Sequence, residues 1–167
     1  MQAWSQFYSV TAGAAATLLG LLFVAASINA PAALGPEEAI SRRLTEQAFQ
    51  NYLAVMLVSL LALFPNIDPK TFGTVVVLAT AGWSVWVVIR FSQTVFRSMA
   101  WPARLRSARR HLSAMIGFGI MLWAALRLAL GWGEDFNWMA AAMLVLMISS
   151  TTVSWTLLTR FAKAKPG

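Results

Sequence analysis

The sequence predicts an all-α protein, a polytopic transmembrane bundle of about five helices that forms a single domain over residues 1–167. Hydrophobic residues make up 59% of the chain and charged residues only 11%, whereas soluble domains carry about 25% charged residues. Apolar runs recur along the chain, and several approach or exceed the roughly 20 residues that a membrane-crossing helix needs. Basic residues cluster between alternate runs, as expected when one side of a membrane retains them.

The first predicted span covers about residues 4–34, a run with no charged side chain. Its length exceeds the roughly 20 residues needed to cross the hydrocarbon. A cleaved signal peptide is the alternative, because the small residues at 26–30 resemble a cleavage site. No basic region precedes the run, however, and the run is longer than the apolar part of a signal peptide. We therefore expect the segment to remain as a span.

The second span, about residues 48–64, continues a helix that we expect to begin near Pro36. Proline at the first helical position, followed here by two glutamates, is a helix-start signal. The proline-bounded segment 65–69 then breaks the helix. The third span follows at about residues 71–96 and is rich in valine, tryptophan and alanine.

A basic stretch, Arg97–His111, interrupts the apolar pattern, and we expect it to form a loop. The fourth span lies at about residues 112–130 and the fifth at about residues 138–161. Between them, the segment GWGED at 131–135 predicts a short turn. An odd number of spans places the two chain ends on opposite sides of the membrane.

The basic connections fall on one side of the predicted bundle. Their residues are Arg42, Arg43, Arg97, Arg104, Arg106, Arg109, Arg110, Arg160, Lys163 and Lys165. Because positively charged connections stay in the cytoplasm, we expect the amino terminus outside and the carboxyl terminus inside. Anionic lipid head groups are the expected partners of the arginines within the basic stretch, namely Arg104, Arg106, Arg109 and Arg110.

Small residues on the first span predict a packing face. The residues are Ala12, Gly13, Ala16 and Gly20. Small side chains let another helix backbone approach closely within a membrane. A neighbouring helix of the same chain and a helix of another subunit both remain open as the contact.

Two groups of uncharged polar residues are candidates for polar contacts or a pore lining. Asn29 and Asn51 are expected at similar depth, where amides can bridge helices, and a structural bridge is favoured over a solute site. Ser149, Thr152 and Thr156 share one face of the fifth span. That face either lines water or, as we favour, carries hydroxyls that bond to carbonyls of their own helix.

Two arginines lie within apolar runs, and each follows a tryptophan by four residues and a glycine by eight. The two sets are Gly82, Trp86, Arg90 and Gly119, Trp123, Arg127. Each tryptophan lies one turn before its arginine, so the spacing predicts a cation–π contact. Because both arginines are near an interface, snorkelling to lipid phosphates is favoured. The functional alternative is a polar stripe on the third span that includes Arg90, Gln93 and Thr94.

The composition argues against several classes of function. Cysteine is absent, so a thiolate site cannot form. His111 is the only histidine and lies in the basic stretch, so neither a histidine metal cluster nor a Ser-His-Asp triad can form within the membrane. Carboxylates are expected only at or beyond the interfaces, which argues against an intramembrane acid pair. We therefore expect no enzymatic activity, cofactor or metal site. The net charge of +7 lies between apolar runs rather than on a soluble face, so we expect no nucleic-acid binding.

The first span resembles a group of uncharacterised bacterial membrane proteins. The resemblance rests on WSQFY at 4–8, AGAAATLLGLLFVA at 12–25, SIN at 27–29 and the step Phe64–Pro65. Some members of the group carry a name that implies modulation of a membrane-bound ATP-dependent protease. The resemblance implies a multi-pass protein of the bacterial inner membrane and assigns no site residue.

Two functions follow from these patterns. The first is a homo-oligomeric ion channel or small transport protein, in which the basic stretch forms a cytoplasmic mouth that favours anions. The second is an accessory or regulatory subunit that binds another membrane protein or organises lipid. The sequence favours the first by a narrow margin.

Overall fold

The computed structural model describes residues 4–29, 39–95, 101–133 and 136–164, and their side chains except those of 39–40, 83–113 and 160–164. The described residues form five α-helices and no β-strand. The helices are α1 (Ser5–Ile28), α2 (Ala39–Ala62), α3 (Pro69–Val95), α4 (Trp101–Leu130) and α5 (Phe136–Ala164). The predicted all-α class is therefore confirmed.

Two helices are long and apolar enough, by length and composition, to cross a membrane. They are α1 and the segment Phe136–Thr159 of α5, each with 24 residues. At about 1.5 Å per residue, such a helix extends roughly 36 Å, more than the roughly 30 Å of hydrocarbon in a bilayer. A shorter apolar stretch, Ala114–Leu130, lies within α4, and these assignments concern the described residues alone.

The break between α2 and α3 matches the predicted proline-bounded segment. α2 ends at Ala62, and Asn66 in the turn has a φ of 59°, a left-handed conformation that asparagine tolerates better than most residues. α3 begins at Pro69, where a missing N–H is harmless because the first helical N–H has no partner within the helix. Asp68 caps this end by accepting a hydrogen bond from Thr71 N at 3.1 Å.

The expected start of α2 at Pro36 lies outside the described residues, as does the end of the first apolar run. α1 ends at Ile28, and its C-terminal flanking residue Asn29 donates its backbone N–H to Ala25 O at 3.2 Å. The polar beginning of α2 carries an exposed ion pair between Arg42 and Glu46 at 3.1 Å.

The expectation of a loop across the basic stretch is wrong from Trp101 onward, because α4 begins there. Residues 101–111 are helical. Arginine, leucine and alanine are strong helix formers, and Pro102 is tolerated because it lies in the first turn. Polarity decides where a chain can enter lipid, whereas backbone bonding and propensity decide where a helix begins. The helix therefore extends well beyond the apolar run, and Arg97 lies outside the described residues.

The predicted turn after the fourth apolar run is confirmed for its described part, residues 131–133. Gly131 has a φ of 71°, and its N–H donates to Leu128 O at 3.1 Å. Trp132 N donates to Arg127 O at 2.9 Å. These two bonds form a Schellman motif, which satisfies carbonyls at the helix end and favours glycine at the left-handed position.

The chain divides into two compact units, and we describe each by itself. Unit 1 comprises Met1–Phe64 and Leu146–Gly167, and α1 packs on α2 within it. One buried cluster contains side chains from α1, α2 and the second half of α5. Its residues are Leu22, Leu44, Ala48, Tyr52, Val153 and Leu157.

Unit 2 comprises Pro65–Val145, and α3 packs on α4 within it. A Cβ at Gly73 would lie 2.5 Å from Ala129 N and 2.7 Å from Ala125 O, so only glycine permits this approach of the two backbones. Beside this contact, the rings of Phe72 and Phe136 lie 6.3 Å apart. The prediction that all residues form one transmembrane domain stays a prediction.

Candidate functional site

The second half of α5 lies beside α2 in unit 1 and fixes the register between them. Tyr52 Oη on α2 and Thr151 Oγ1 on α5 are 3.2 Å apart and form a hydrogen bond. Thr151 also donates to Met147 O one turn earlier at 2.9 Å, so Tyr52 is the donor in the contact between the helices. The bond therefore ties the phenol of Tyr52 to an acceptor whose own proton is already used.

Four buried polar atoms near this bond have no hydrogen-bond partner among the described residues. They are Gln47 Oε1, Asn51 Nδ2, Ser150 Oγ and Ser154 Oγ. Two of the atoms belong to α2 and two to α5. Within each helix, the two residues are four positions apart, about one helical turn. Tyr8 Oη on α1 is a further buried atom of this kind. Buried polar atoms are nearly always hydrogen bonded, so this set is the most unusual feature of unit 1.

The asparagines that the sequence singled out behave differently. Asn29 Nδ2 donates to Ala25 O of its own helix at 2.9 Å, so its amide does not reach toward α2. Asn51 is only 2% exposed, and its Nδ2 is one of the four unpartnered atoms. Asn51 is therefore the asparagine that belongs to a candidate site.

The threonines of α5 bond to their own helix, as favoured from the sequence. Thr152 donates to Ile148 O at 2.9 Å and Thr156 to Thr152 O at 3.0 Å. Thr152 is exposed and Thr156 is partly exposed, whereas Ser149 on the same predicted face is buried. The structure thus separates Ser149, which faces the interior of unit 1, from the two threonines at its surface.

The small residues of α1 lie on two different faces. Ala12 is buried in unit 1, whereas Gly13, Ala16 and Gly20 are exposed. A Cβ added at Gly13 or Gly20 would meet no heavy atom of the part of the chain that the structure describes within 4 Å. The exposed set, Gly13, Ala16 and Gly20, is hereafter the open face of α1.

The predicted cation–π contact is present at the end of α4. The guanidinium carbon of Arg127 lies 5.1 Å from the ring centroid of Trp123, and Arg127 Nη2 donates to Trp132 O at 3.3 Å. The sequence did not indicate the role of Trp138, whose ring meets that of Trp123 edge to face at 5.4 Å. Tryptophan, which has an apolar ring system and a polar N–H, is enriched at membrane–water interfaces in general.

Lys70 lies beside the turn that follows α4. A Cβ at Gly131 would be 2.9 Å from Lys70 Cε, so the lysine stem covers that turn. Asp68, two residues earlier, accepts hydrogen bonds from Thr71 that hold the pKa of its exposed carboxyl below its usual value. The described charges of unit 2 are therefore at the ends of helices.

Several predicted site residues lie in helices whose side chains are outside the described part of the structure. Arg90, Gln93 and Thr94 are within α3, and the four arginines expected at lipid head groups are within α4. The polar stripe and the lipid contacts stay predictions.

Among the described residues, no group of three or more His, Cys, Asp or Glu side chains lies together in a way that suits a metal ion. The chemistry of the candidate site in unit 1 is that of neutral amides and hydroxyls. No protein-family model matches the chain, and neither curated proteins nor solved structures match it at a significant level.

Proposed function

We propose that the chain is a multi-pass protein of the bacterial inner membrane that acts as a homo-oligomeric ion channel or small transport protein. In this proposal it crosses the bilayer five times, with the amino terminus outside and the carboxyl terminus inside. Two apolar helices of sufficient length support membrane insertion. The alternation of basic connections in the sequence supports the orientation.

The open face of α1 is the observation that carries the oligomer. A Cβ added at Gly13 or Gly20 would meet no atom of the described residues within 4 Å, and small residues on a membrane helix allow a second helix to approach closely. Around them, large apolar side chains such as Val10 and Phe23 are 67% and 64% exposed. Such a surface suits lipid or another helix rather than water.

Conduction is supported by the distribution of charge in the sequence. The arginines from Arg97 to Arg110 would form a positive ring at the cytoplasmic mouth of an oligomer, and such a ring attracts anions. Small anions such as chloride are therefore the expected solutes.

The oligomer and the conduction are tested together with a variant and a matched control. Gly13→Leu fills the open face, whereas Val10→Leu changes a neighbouring exposed position by one methylene. We expect the wild-type protein and Val10→Leu to form one discrete oligomer in nanodiscs and to conduct chloride in liposomes. Gly13→Leu should be monomeric and give no flux. Wild-type vesicles that conduct no better than empty ones, with several ions and voltages, would remove the channel proposal.

The orientation has its own test. Reporter fusions within residues 98–111 should be active only on the cytoplasmic side, and fusions at the two chain ends should report opposite sides. A reporter for residues 98–111 on the outer side, or both ends on one side, would contradict the five-span topology.

An accessory or regulatory membrane subunit is the second candidate, and the surface of α5 favours it. The hydroxyls of Thr152 and Thr156 donate within the helix, and Ile148 and Trp155 beside them are 67% and 69% exposed. This is an apolar surface that suits a partner helix. Affinity capture from native membranes distinguishes the two: one stoichiometric foreign partner supports the subunit, and a pure self-oligomer supports the channel.

A further inference from the structure

The four unpartnered polar atoms of unit 1 lie in two matched pairs. Tyr52 and Thr151 are hydrogen bonded, and Leu44 and Leu157 belong to one buried cluster. Moving toward the amino end of α2 therefore corresponds to moving toward the carboxyl end of α5. In this register, Asn51 and Ser150 are two residues out of level, about 3 Å along the helix axes, a separation that their side chains and one water molecule can span.

The second pair lies one turn away along the same seam. Gln47 precedes Asn51 by four residues, and Ser154 follows Ser150 by four residues. Because the two helices run in opposite directions, the two offsets are equal, and Gln47 and Ser154 keep the same separation of about 3 Å along the helix axes. The polar seam is hereafter Gln47 and Asn51 of α2 with Ser150 and Ser154 of α5.

The polar seam is closed along the helix axes by apolar side chains. On one side, Leu44 and Leu157 are 5% and 1% exposed, and on the other, Val55 and Leu146 are fully buried. The four polar atoms are themselves buried, although Gln47 and Ser154 are only partly buried as residues, so leaving all four without partners is costly. A bound molecule small enough to stay between the two helices would satisfy them.

The chemistry of the polar seam identifies the class of that molecule. Asn51 Nδ2 can only donate a hydrogen bond, Gln47 Oε1 can only accept one, and each serine hydroxyl can do both. A metal cation would be repelled by the amide N–H groups, and an anion would face the acceptor oxygen. A small neutral molecule that both donates and accepts fits all four atoms, and buried water typically makes about three hydrogen bonds to such groups.

We propose that the polar seam is an internal binding site for ordered water, held between α2 and α5 at Asn51–Ser150 and Gln47–Ser154. The site lies within a single chain, so it is independent of the proposed oligomer and survives if the protein forms no channel. Water there completes the hydrogen bonds of α2 and α5 that the described side chains leave open.

A direct test is a structure of the full chain in lipid nanodiscs at a resolution that shows ordered water. We expect density within hydrogen-bond distance of both Asn51 Nδ2 and Ser150 Oγ. Direct side-chain bonds that leave no room for water, or a seam without density, would overturn the proposal.

The thermal midpoint of Ser150→Ala gives an independent test, because the variant should be less stable if the polar seam holds water and should not lose stability if it holds none. If water is bound, Ser150→Ala removes one of its partners and should lower the thermal midpoint by about 2–4 °C, the shift expected for losing one hydrogen bond in a chain of this size. If the seam is dry, the same change removes an unsatisfied hydroxyl, so the midpoint would stay or rise. An unchanged or raised midpoint would contradict the proposal.

Thr152→Val is the matched control, since this exposed hydroxyl bonds to its own helix and lies outside the polar seam. Its midpoint should stay close to that of the wild-type protein. The double variant Asn51→Leu/Ser150→Ala should lose less than the sum of the single variants, because both singles disturb the same water. Strict additivity would contradict a shared water.

Discussion

The interiors of the two units differ in how they are stabilised. Described buried polar residues concentrate in unit 1, where they are Thr11, Ser41, Thr45, Asn51, Ser59, Ser149 and Ser150. In the described part of unit 2, the buried polar residue is Thr80, whose hydroxyl donates to Val76 O at 2.6 Å. Unit 2 is instead characterised by the close backbone contact at Gly73.

This difference separates two ways of holding helices together. If the helices lie in lipid, as proposed, the hydrophobic effect does not drive them together, so their association depends on close packing or on hydrogen bonds between helices. Unit 2 uses the first and unit 1 adds the second. Substitutions that increase volume should therefore be most harmful in unit 2, and substitutions that remove a polar atom should be felt mainly in unit 1.

The largest expected effect is that of Gly73→Ala in unit 2. The new methyl group would overlap Ala129 N, Ala125 O and Leu128 Cβ, all closer than 3 Å. Since two of these atoms belong to the backbone, the helices must separate, and we expect a loss of about 1–3 kcal/mol, the usual cost of overpacking. Thermal or steric-trap unfolding in bicelles measures it.

Gly119→Ala in α4 is the control for this prediction, because a Cβ there would meet nothing within 4 Å. It should leave stability unchanged or raise it slightly through helix propensity. Equal losses at Gly73 and Gly119 would show that unit 2 does not depend on the close backbone contact.

A smaller effect is expected from the contact between Trp123 and Arg127. The guanidinium lies over the indole ring, and partly exposed pairs of this kind contribute about 0.5–1 kcal/mol. A double-mutant cycle with Trp123→Leu and Arg127→Gln should give a coupling of about that size. A coupling of zero would mean that the contact between the guanidinium and the indole ring contributes nothing to stability.

Tyr52→Phe probes the polar bonding of unit 1. It removes the hydroxyl that donates to Thr151 Oγ1 and keeps the buried ring, so we expect a loss of about 0.5–1.5 kcal/mol. Thr151→Val should cost a similar amount and the two changes should not add. If neither variant changes the free energy of unfolding, the bond between Tyr52 and Thr151 does not contribute to stability.

The smallest effect concerns the start of α3 and depends on pH. Hydrogen bonds from Thr71 lower the pKa of Asp68, so folding favours the charged carboxylate. Its contribution is therefore present above the usual pKa of about 3.9 and is lost as the pH falls through the lower pKa of the folded state. Asp68→Asn keeps a capping side chain and should remove this pH dependence, which unfolding at pH 7 and pH 3 measures. The same acid sensitivity in both proteins would contradict it.

Local rules explain why much of the fold was predictable from the sequence. Proline at 65 and 69 and glycine at 131 act on the backbone of their own neighbours, and the breaks that they predict are present. The start of α4 at Trp101 was missed because hydropathy identifies the lipid-crossing part of a helix. The spacing of Trp123 and Arg127 is likewise local, and the contact that it predicts is present.

The candidate site in unit 1 was harder to predict because it depends on register between distant helices. Asn51 was recognised as polar, but Ser150 and Ser154 stand among six serines and threonines in residues 149–156, and sequence spacing alone does not show which of them face α2. The contact of Tyr52 with Thr151, 99 residues apart, decides this. A pairing at that separation leaves no local signal in a single sequence.

The division of α5 between the two units has a consequence for biosynthesis. Residues 136–145 complete unit 2 and residues 146–164 complete unit 1, whereas the pairs α1–α2 and α3–α4 are neighbours in the chain. Each hairpin can assemble during synthesis, but both units await the last segment to leave the ribosome. A stop codon before residue 136 would therefore leave two complete hairpins but two incomplete units, both exposed to quality-control proteases.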